Sequence, residues 1–142
     1  DVALASRSLN VDDVYSALVK LDGAARKRVI ISTVADDGPF DRRIFEAVGR
    51  ERPVGIDYIY FYNLLYQMGI RANISFIVEE NEKTFANHEE ASDSLMWMFQ
   101  DITPVEHDRL GGFLKEHLIE ADGRLVFDYK RIHTWAVLWW DK

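Results

Sequence analysis

The 142-residue sequence contains no cysteine. Disulfide bonds, thiolate metal sites and cysteine nucleophiles are excluded, because each of them requires a thiol. Absence of cysteine is typical of proteins in the reducing interior of a cell, and we expect a cytoplasmic protein. No apolar run approaches the roughly 20 residues of a membrane-spanning helix. We therefore expect neither a signal peptide nor a membrane partner.

The sequence also lacks an excess of positive charge, since its formal net charge is −7. Nucleic-acid binding draws much of its affinity from lysine and arginine side chains that neutralise phosphates. The short basic runs at 26–28 and 42–43 are more typical of solvated helix ends than of a binding site. The charge therefore favours a small molecule over a nucleic acid as partner.

Apolar residues are plentiful, at 48% of the chain, and aromatic residues reach 13%. A disordered chain does not carry so many, so the composition predicts a folded core. No internal repeat, low-complexity stretch or linker interrupts the sequence. We therefore treat residues 1–142 as a single unit.

The first half alternates strands and helices. A short apolar strand covers Val2–Ala5, and Asn10 is the expected N-cap of a helix whose apolar side chains recur at helical spacing. The β-branched run 29–34 predicts a second, buried strand, and a short helix follows that ends at Gly49. This order builds a parallel sheet through right-handed crossovers.

The second half adds helices and the remaining strands. A helix is expected over 57–68, ending at Gly69. It has few polar residues, so we expect other parts of the protein to cover it on nearly all sides. Alternation at 72–78 predicts a half-exposed third strand. Thr103 and Glu106 form an expected capping box for a late helix that carries an apolar side to Leu118.

The final run Thr134–Trp140 is continuously apolar, so this strand is expected between two neighbours. We predict that it lies antiparallel between the second and third strands. Trp139 and Trp140 then point to opposite faces, where we expect them to pack against helices on both sides.

Two segments carry a family resemblance. The strand followed by Ser6-Arg7-Ser8-Leu9, a helix and then Arg28-Val29-Ile30-Ile31-Ser32-Thr33 resembles the fourth and fifth strands of class I S-adenosylmethionine-dependent methyltransferases. The ending Thr134–Trp140 is similar to the closing seventh strand of that fold, which runs antiparallel between the fifth and sixth. The resemblance implies an α/β, partial Rossmann-like methyltransferase sheet with the equivalents of strands 4, 5, 7 and 6, flanked by helices.

One family feature is missing. The family binds S-adenosylmethionine on a glycine-rich turn after its first strand, and no Gly-x-Gly-x-Gly run occurs here. The resemblance therefore implies the C-terminal, substrate-side part of a methyltransferase domain, with the cofactor-binding N-terminal half absent. The start of the chain on an apolar strand without a leading methionine fits a processed or truncated product. We expect this part to be inactive alone.

Polar side chains follow the first two strands, where open α/β sheets bind ligands. Ser6, Arg7 and Ser8 follow the first strand, and the resemblance implies that this stretch shapes a substrate pocket; a solvated helix-entry loop is an equal alternative. Asp36 and Asp37 follow the second strand. A carboxylate there can orient a substrate or act as a base, but Asp-Asp-Gly-Pro is also ordinary turn chemistry.

Tyr58, Tyr62 and Tyr66 recur on one helix face. The first two are further candidates for the substrate side, and packing in the core is the simpler explanation. The four histidines show no zinc-binding spacing, so no metal is expected. No residue is assigned as catalytic or as a cofactor ligand.

Two hypotheses follow. The first is the methyltransferase part described above, acting on a small molecule; the second is an α/β interaction domain without catalysis. The apolar strand Val2–Ala5 argues against the second hypothesis, because a self-contained domain would leave this sheet edge unpaired. In the methyltransferase part, the same strand has lost the partner strand that the missing half provides. We therefore expect a homo-oligomer that forms through this first strand.

Overall fold

The computed structural model describes residues 1–53 and 55–142. The strands are β1 Val2–Ser6, β2 Arg28–Ala35, β3 Asn73–Asn81, β4 Leu118–Ala121, β5 Arg124–Phe127 and β6 Arg131–Asp141. The α-helices are α1 Val14–Ala24, α2 Arg42–Val48, α3 Tyr58–Gln67, α4 His88–Asp93 and α5 Pro104–His117, with a 3-10 turn at Met96–Met98. None of these helices is long and apolar enough to cross a membrane.

Local sequence signals set several helix ends. Gly49 and Gly69 have left-handed backbones at φ +84° and +77°, and they end α2 and α3 as predicted. Thr103 and Glu106 form the predicted capping box at the start of α5. The predicted N-cap of α1 was wrong: Asp13, not Asn10, accepts a hydrogen bond from the Ser16 amide at 2.9 Å.

The main sheet has four strands in the order β1-β2-β6-β3. β1 pairs in parallel with β2, and β6 pairs antiparallel with β2 from Arg28↔Asp141 to Ala35↔Thr134. β3 also runs antiparallel to β6, because Asn73 at its start contacts Trp139 while Glu79 near its end contacts Trp135. The predicted position and direction of the last strand are confirmed. The chain is therefore an α/β protein with a mixed four-stranded sheet and flanking helices.

The described residues cluster in two compact units. The sheet unit comprises Asp1–Pro39, Val54–Glu79 and His133–Lys142, and the second unit comprises Phe40–Pro53 and Glu80–Ile132. Each unit has its own apolar core. The assignment of residues 1–142 to one methyltransferase domain stays a prediction.

The core of the sheet unit lies between one face of the sheet and the helices α1 and α3. Apolar side chains bury against one another there, and burial of such side chains is the main source of folding free energy. Its members include Val14, Leu18, Val29, Ile31, Phe61, Leu65, Ala136, Leu138 and Trp140.

The second unit packs α2 and α4 against α5, beside the β4–β5 hairpin. Its fully buried side chains include Ile44, Phe85, Leu110 and Leu114. The predicted apolar side of α5 is confirmed at Leu110 and Leu114. Leu118 is buried too, but it begins β4 instead of continuing the helix.

The prediction that the helix at 57–68 is covered nearly all round was wrong. Only Phe61 and Leu65 of α3 are buried, whereas Tyr66 is 72% exposed and Tyr60 is 48% exposed. A helix needs only a stripe of apolar side chains to bind a sheet. The remaining aromatic residues of α3 therefore form an apolar surface.

Candidate functional site

Polar side chains gather at the edge of the sheet where β1 and β2 end. These two strands are parallel, so Ser6 and Ser32 are direct neighbours in the register. Trp135 near the start of β6 is paired with Val34 of β2. The carboxyl ends of the parallel strands thus lie together, at the position where open α/β sheets bind ligands.

Ser6 and Arg7 are both held by β2. The hydroxyl groups of Ser6 and Ser32 lie 3.0 Å apart, and the Arg7 amide donates a hydrogen bond to the Ser32 carbonyl at 3.0 Å. Arg7 adopts a left-handed backbone with φ +53°. A non-glycine residue in this region stores about 1–2 kcal/mol of conformational energy. The bonds to Ser32 keep Arg7 in this conformation.

Arg7, Trp135 and Glu79 form a compact cluster at this edge. The guanidinium carbon of Arg7 lies 3.7 Å from the ring centre of Trp135. Glu79 accepts a hydrogen bond from the Trp135 indole at 3.0 Å and lies 3.5 Å from the guanidinium of Arg7. The cluster therefore combines a cation, a carboxylate and an aromatic face.

The cluster is accessible to solvent on its charged side. The side chains of Arg7 and Glu79 are each 51% exposed, whereas Trp135 is 8% exposed beneath them. An exposed ion pair contributes at most about 1 kcal/mol, and an exposed cation–π contact contributes a similar amount. Arg7 can therefore leave the indole at small cost, which uncovers an aromatic face beside a carboxylate.

The other candidate residues at the strand ends lie nearby in sequence. Ser8 is exposed just beyond Arg7. Asp36 begins the turn after β2 with φ +55°, and the Gly38 amide donates to the Ala35 carbonyl at 3.1 Å, so Asp36 and Asp37 belong to a tight turn. The structure thus shows the turn chemistry at these two aspartates, and a role toward a substrate stays a prediction.

Tyr58 and Tyr62 are not brought together with the Arg7 cluster. The ring of Tyr58 packs edge-on against Phe76 at 5.2 Å, on the face of the sheet that α3 covers. Ser6, Ser32 and Trp135 lie on the opposite face, as the pairing register requires. Tyr62 is 39% exposed on the surface of α3. Their assignment to the substrate side stays a prediction.

Three residues of this site were not predicted from the sequence: Ser32, Glu79 and Trp135. Ser32 interrupts an apolar strand with a hydroxyl, and this signal was visible in the sequence. Glu79 and Trp135 lie 56 residues apart, and only the β3–β6 contact brings them together. No local pattern could have found this pair.

Part of the face of the sheet away from α1 and α3 is apolar and exposed. Leu4 is 67% exposed and Val2 is 56% exposed on β1, and Ile77 on β3 is 48% exposed. Trp139 on this face is only partly buried. Both helices of the sheet unit pack on the other face. The described residues of this unit therefore place helices on one face of the sheet, and the helices on both sides that Trp139 and Trp140 led us to expect are not found among them.

The part of the chain that the structure describes forms no metal centre, and the turn after β1 forms no cofactor cradle. No group of three or more histidine, aspartate and glutamate side chains there is placed to hold a metal ion. The turn after β1 contains no glycine and directs Arg7 over Trp135. It therefore does not fit the glycine-rich phosphate or nucleoside cradle of dinucleotide-binding sheets.

Comparison with known proteins found a relative in Haemophilus influenzae. No family model matches the chain. The chain is 34% identical over 142 residues to an uncharacterized protein of Haemophilus influenzae, and the match covers 99% of this chain and 52% of that protein. The chain thus spans about half the length of the curated relative that it matches.

Proposed function

We propose that residues 1–142 form the substrate-side part of a class I S-adenosylmethionine-dependent methyltransferase that acts on a small molecule. The strand order β1-β2-β6-β3, with β6 antiparallel between β2 and β3, carries this proposal. It corresponds to strands 4, 5, 7 and 6 of that fold. The dinucleotide-binding sheet, by contrast, is mostly parallel and has the strand order 3-2-1-4-5-6.

The cofactor-binding half is not provided by these residues. The glycine-rich turn that holds S-adenosylmethionine is absent from the sequence, and the turn after β1 does not replace it. The Haemophilus influenzae relative supports this proposal, because the match covers 52% of its length and the remainder is long enough for such a half. We therefore assign the methyl-donor site to a part of the protein outside residues 1–142, and we expect these residues to be inactive alone.

In this proposal, residues 1–142 position the substrate. Ser6 and Ser32 present hydroxyl groups that donate and accept hydrogen bonds, and Glu79 presents a carboxylate beside the Trp135 indole. Such groups orient a polar substrate, and orientation alone supplies a large share of many enzymatic rate enhancements. The net charge of −7 favours a neutral or cationic small molecule and disfavours nucleic acid.

The proposal includes a cytoplasmic location, in keeping with the absence of cysteine. It also includes self-association of the isolated chain through β1. In the four-stranded sheet β1 is an edge strand with exposed apolar side chains at Val2 and Leu4. Edge strands of this kind pair with other strands unless something blocks them.

The direct test compares the Haemophilus influenzae relative with residues 1–142 by calorimetric titration with S-adenosylmethionine. We expect saturable binding to the relative and no binding to the 142-residue chain. Replacement of Glu79 by Gln, transferred to the aligned position of the relative, should leave cofactor affinity unchanged while it impairs methyl transfer. A relative that binds no S-adenosylmethionine would refute the methyltransferase proposal.

A second candidate function is a non-catalytic interaction domain. The exposed aromatic side of α3 favours it, because Ile59, Tyr60 and Tyr66 are each about half exposed or more. Aromatic residues are enriched at protein interfaces. This function predicts that Tyr60→Ser and Tyr66→Ser abolish partner binding without an effect on any methyl transfer by the longer protein.

A further inference from the structure

The second unit contains a groove of about 420 Å³ between residues 80–84 and residues 126–130. These two segments run antiparallel. They are joined at one end by the pair Phe85 and Leu125, which exchange backbone hydrogen bonds of 2.9 and 2.8 Å. At the other end Lys130 donates to Glu80 at 2.8 Å. The groove is thus an opening within an antiparallel pair, since paired strands ordinarily lie about 4.8 Å apart and leave no cavity.

A local hydrogen bond explains why the pair opens. The Phe85↔Leu125 register places Lys83 opposite Phe127 as the next pair that would exchange backbone bonds. The Lys83 amide is instead taken by the side-chain oxygen of Asn81 at 3.0 Å. Among the described residues the bridge at Phe85 remains isolated, and Lys83 and Phe127 form no ladder pair.

Within the part of the chain that the structure describes, the backbone N–H and C=O of Phe127 consequently have no hydrogen-bond partner. Backbone groups of alternate residues on a strand point to the same side. Leu125 directs both of its groups toward Phe85, and the Asp128 amide bonds on the other side, to the His117 carbonyl at 2.9 Å. The N–H and C=O of Phe127 therefore face the segment that has moved away.

The groove supplies an apolar surface and charges of both signs. Ile119 and Val126, which are cross-strand partners in the hairpin, line it and remain accessible to solvent. Two of its charges are already neutralised in the Lys130–Glu80 pair. Glu82 and Lys83 also line the groove and form no ion pair within residues 1–53 and 55–142. The Lys83 ammonium lies 5.8 Å from the ring centre of Phe85.

We propose that this groove binds a free α-amino acid with a large apolar side chain. The carboxylate accepts from the Phe127 N–H near Lys83, and the ammonium donates to the Phe127 C=O near Glu82. The apolar side chain covers Ile119 and Val126. The ligand thereby replaces the missing backbone partner of Phe127, and the volume suits a small molecule. This site is independent of methyl transfer.

The test uses three probes that share a phenyl ring: L-phenylalanine, phenethylamine without the carboxylate, and 3-phenylpropionate without the ammonium. Binding is followed by calorimetry and by amide chemical shifts. We expect L-phenylalanine to bind about tenfold more tightly than either analogue, because each analogue loses one charge-assisted hydrogen bond. The amide signals of Lys83 and Phe127 should shift most.

Two variants separate the charges. Lys83→Gln should weaken L-phenylalanine and 3-phenylpropionate but not phenethylamine, and Glu82→Gln should weaken L-phenylalanine and phenethylamine but not 3-phenylpropionate. Lys115→Gln and Glu116→Gln on α5, which lie outside the groove lining, are matched controls and should change nothing. Equal affinity for all three probes, or no saturable binding at millimolar concentration, would overturn the proposal. S-adenosylmethionine is absent from the assay, so its outcome is separate from that of the methyltransferase test.

Discussion

At the scale of single residues, two glycines offer opposite predictions. Gly38 has φ +57°, and an added Cβ would lie 2.5 Å from Cγ1 of Val34. Gly23 in α1 has ordinary backbone angles and no heavy atom within 4 Å of an added Cβ. Gly38→Ala should lower the free energy of unfolding by about 1–3 kcal/mol. Gly23→Ala should raise it by about 0.5–1 kcal/mol. Urea denaturation followed by circular dichroism measures both, and equal effects would contradict the structure.

Glu106 provides a pH-dependent contribution to stability. Hydrogen bonds from Arg50, at 2.6 Å, and from Thr103 lower the pKa of Glu106 from 4.5 to about 2. A carboxyl with a depressed folded-state pKa stabilises the protein fully above its unfolded pKa. This contribution is lost as the pH falls from about 4.5 toward about 2.

The variant Glu106→Gln should therefore be less stable than the parent at pH 7, and the difference should shrink steadily below pH 4.5. Denaturant unfolding between pH 7 and pH 2.5 measures this difference. Glu116→Gln, at an exposed position on the same helix, is the matched control. If the difference in unfolding free energy between Glu106→Gln and the parent were the same at all pH values, the ion pair with Arg50 and the cap with Thr103 would be ruled out.

The candidate site was partly predictable from residues. Ser6 and Arg7 could be identified because they directly follow an apolar strand, and parallel strands end at one edge of the sheet. Glu79 could not, because its partners Arg7 and Trp135 are distant in sequence. Local pattern gives strand ends, whereas cross-strand pairs depend on the sheet register.

At the scale of elements, the start of α1 allows a test of which residue caps the helix: Asp13, as in the structure, or Asn10, as predicted from the sequence. Asp13 accepts from both the amide and the hydroxyl of Ser16, at 2.9 and 2.6 Å. Asp13→Ala should destabilise the protein by about 1 kcal/mol, the usual value of an N-cap. Asn10→Ala should change the free energy of unfolding by less than about 0.5 kcal/mol. If thermal or urea unfolding showed a larger loss of stability for Asn10→Ala than for Asp13→Ala, Asn10 would be the N-cap.

Helix and strand ends were predictable where a residue type has one dominant role. Gly69 and Thr103 each gave the correct end, because a left-handed glycine and a capping box are local devices. β4 was missed because Leu118 continues the helical spacing of Leu110 and Leu114. The burial of α3 was overestimated, because apolar periodicity does not distinguish a buried helix face from an exposed aromatic one.

At the scale of the whole molecule, the exposed edge at β1 leads to a prediction about assembly. We expect the 142-residue chain to be dimeric or larger by light scattering at tens of micromolar. Leu4→Lys should shift it toward the monomer, because a lysine on an edge strand opposes pairing. Tyr66→Lys, at an equally exposed position on α3, is the control and should leave the assembly unchanged. A monomeric parent chain would contradict association through β1.

The position of β6 also governs how the protein is made. Residues 131–141 leave the ribosome after β1–β5, yet they lie between β2 and β3. Until they emerge, the inner edges of β2 and β3 carry unpaired backbone groups that can pair with other chains. The sheet therefore closes only after residues 131–141 have emerged, and the nascent chain is most prone to aggregate just before that step.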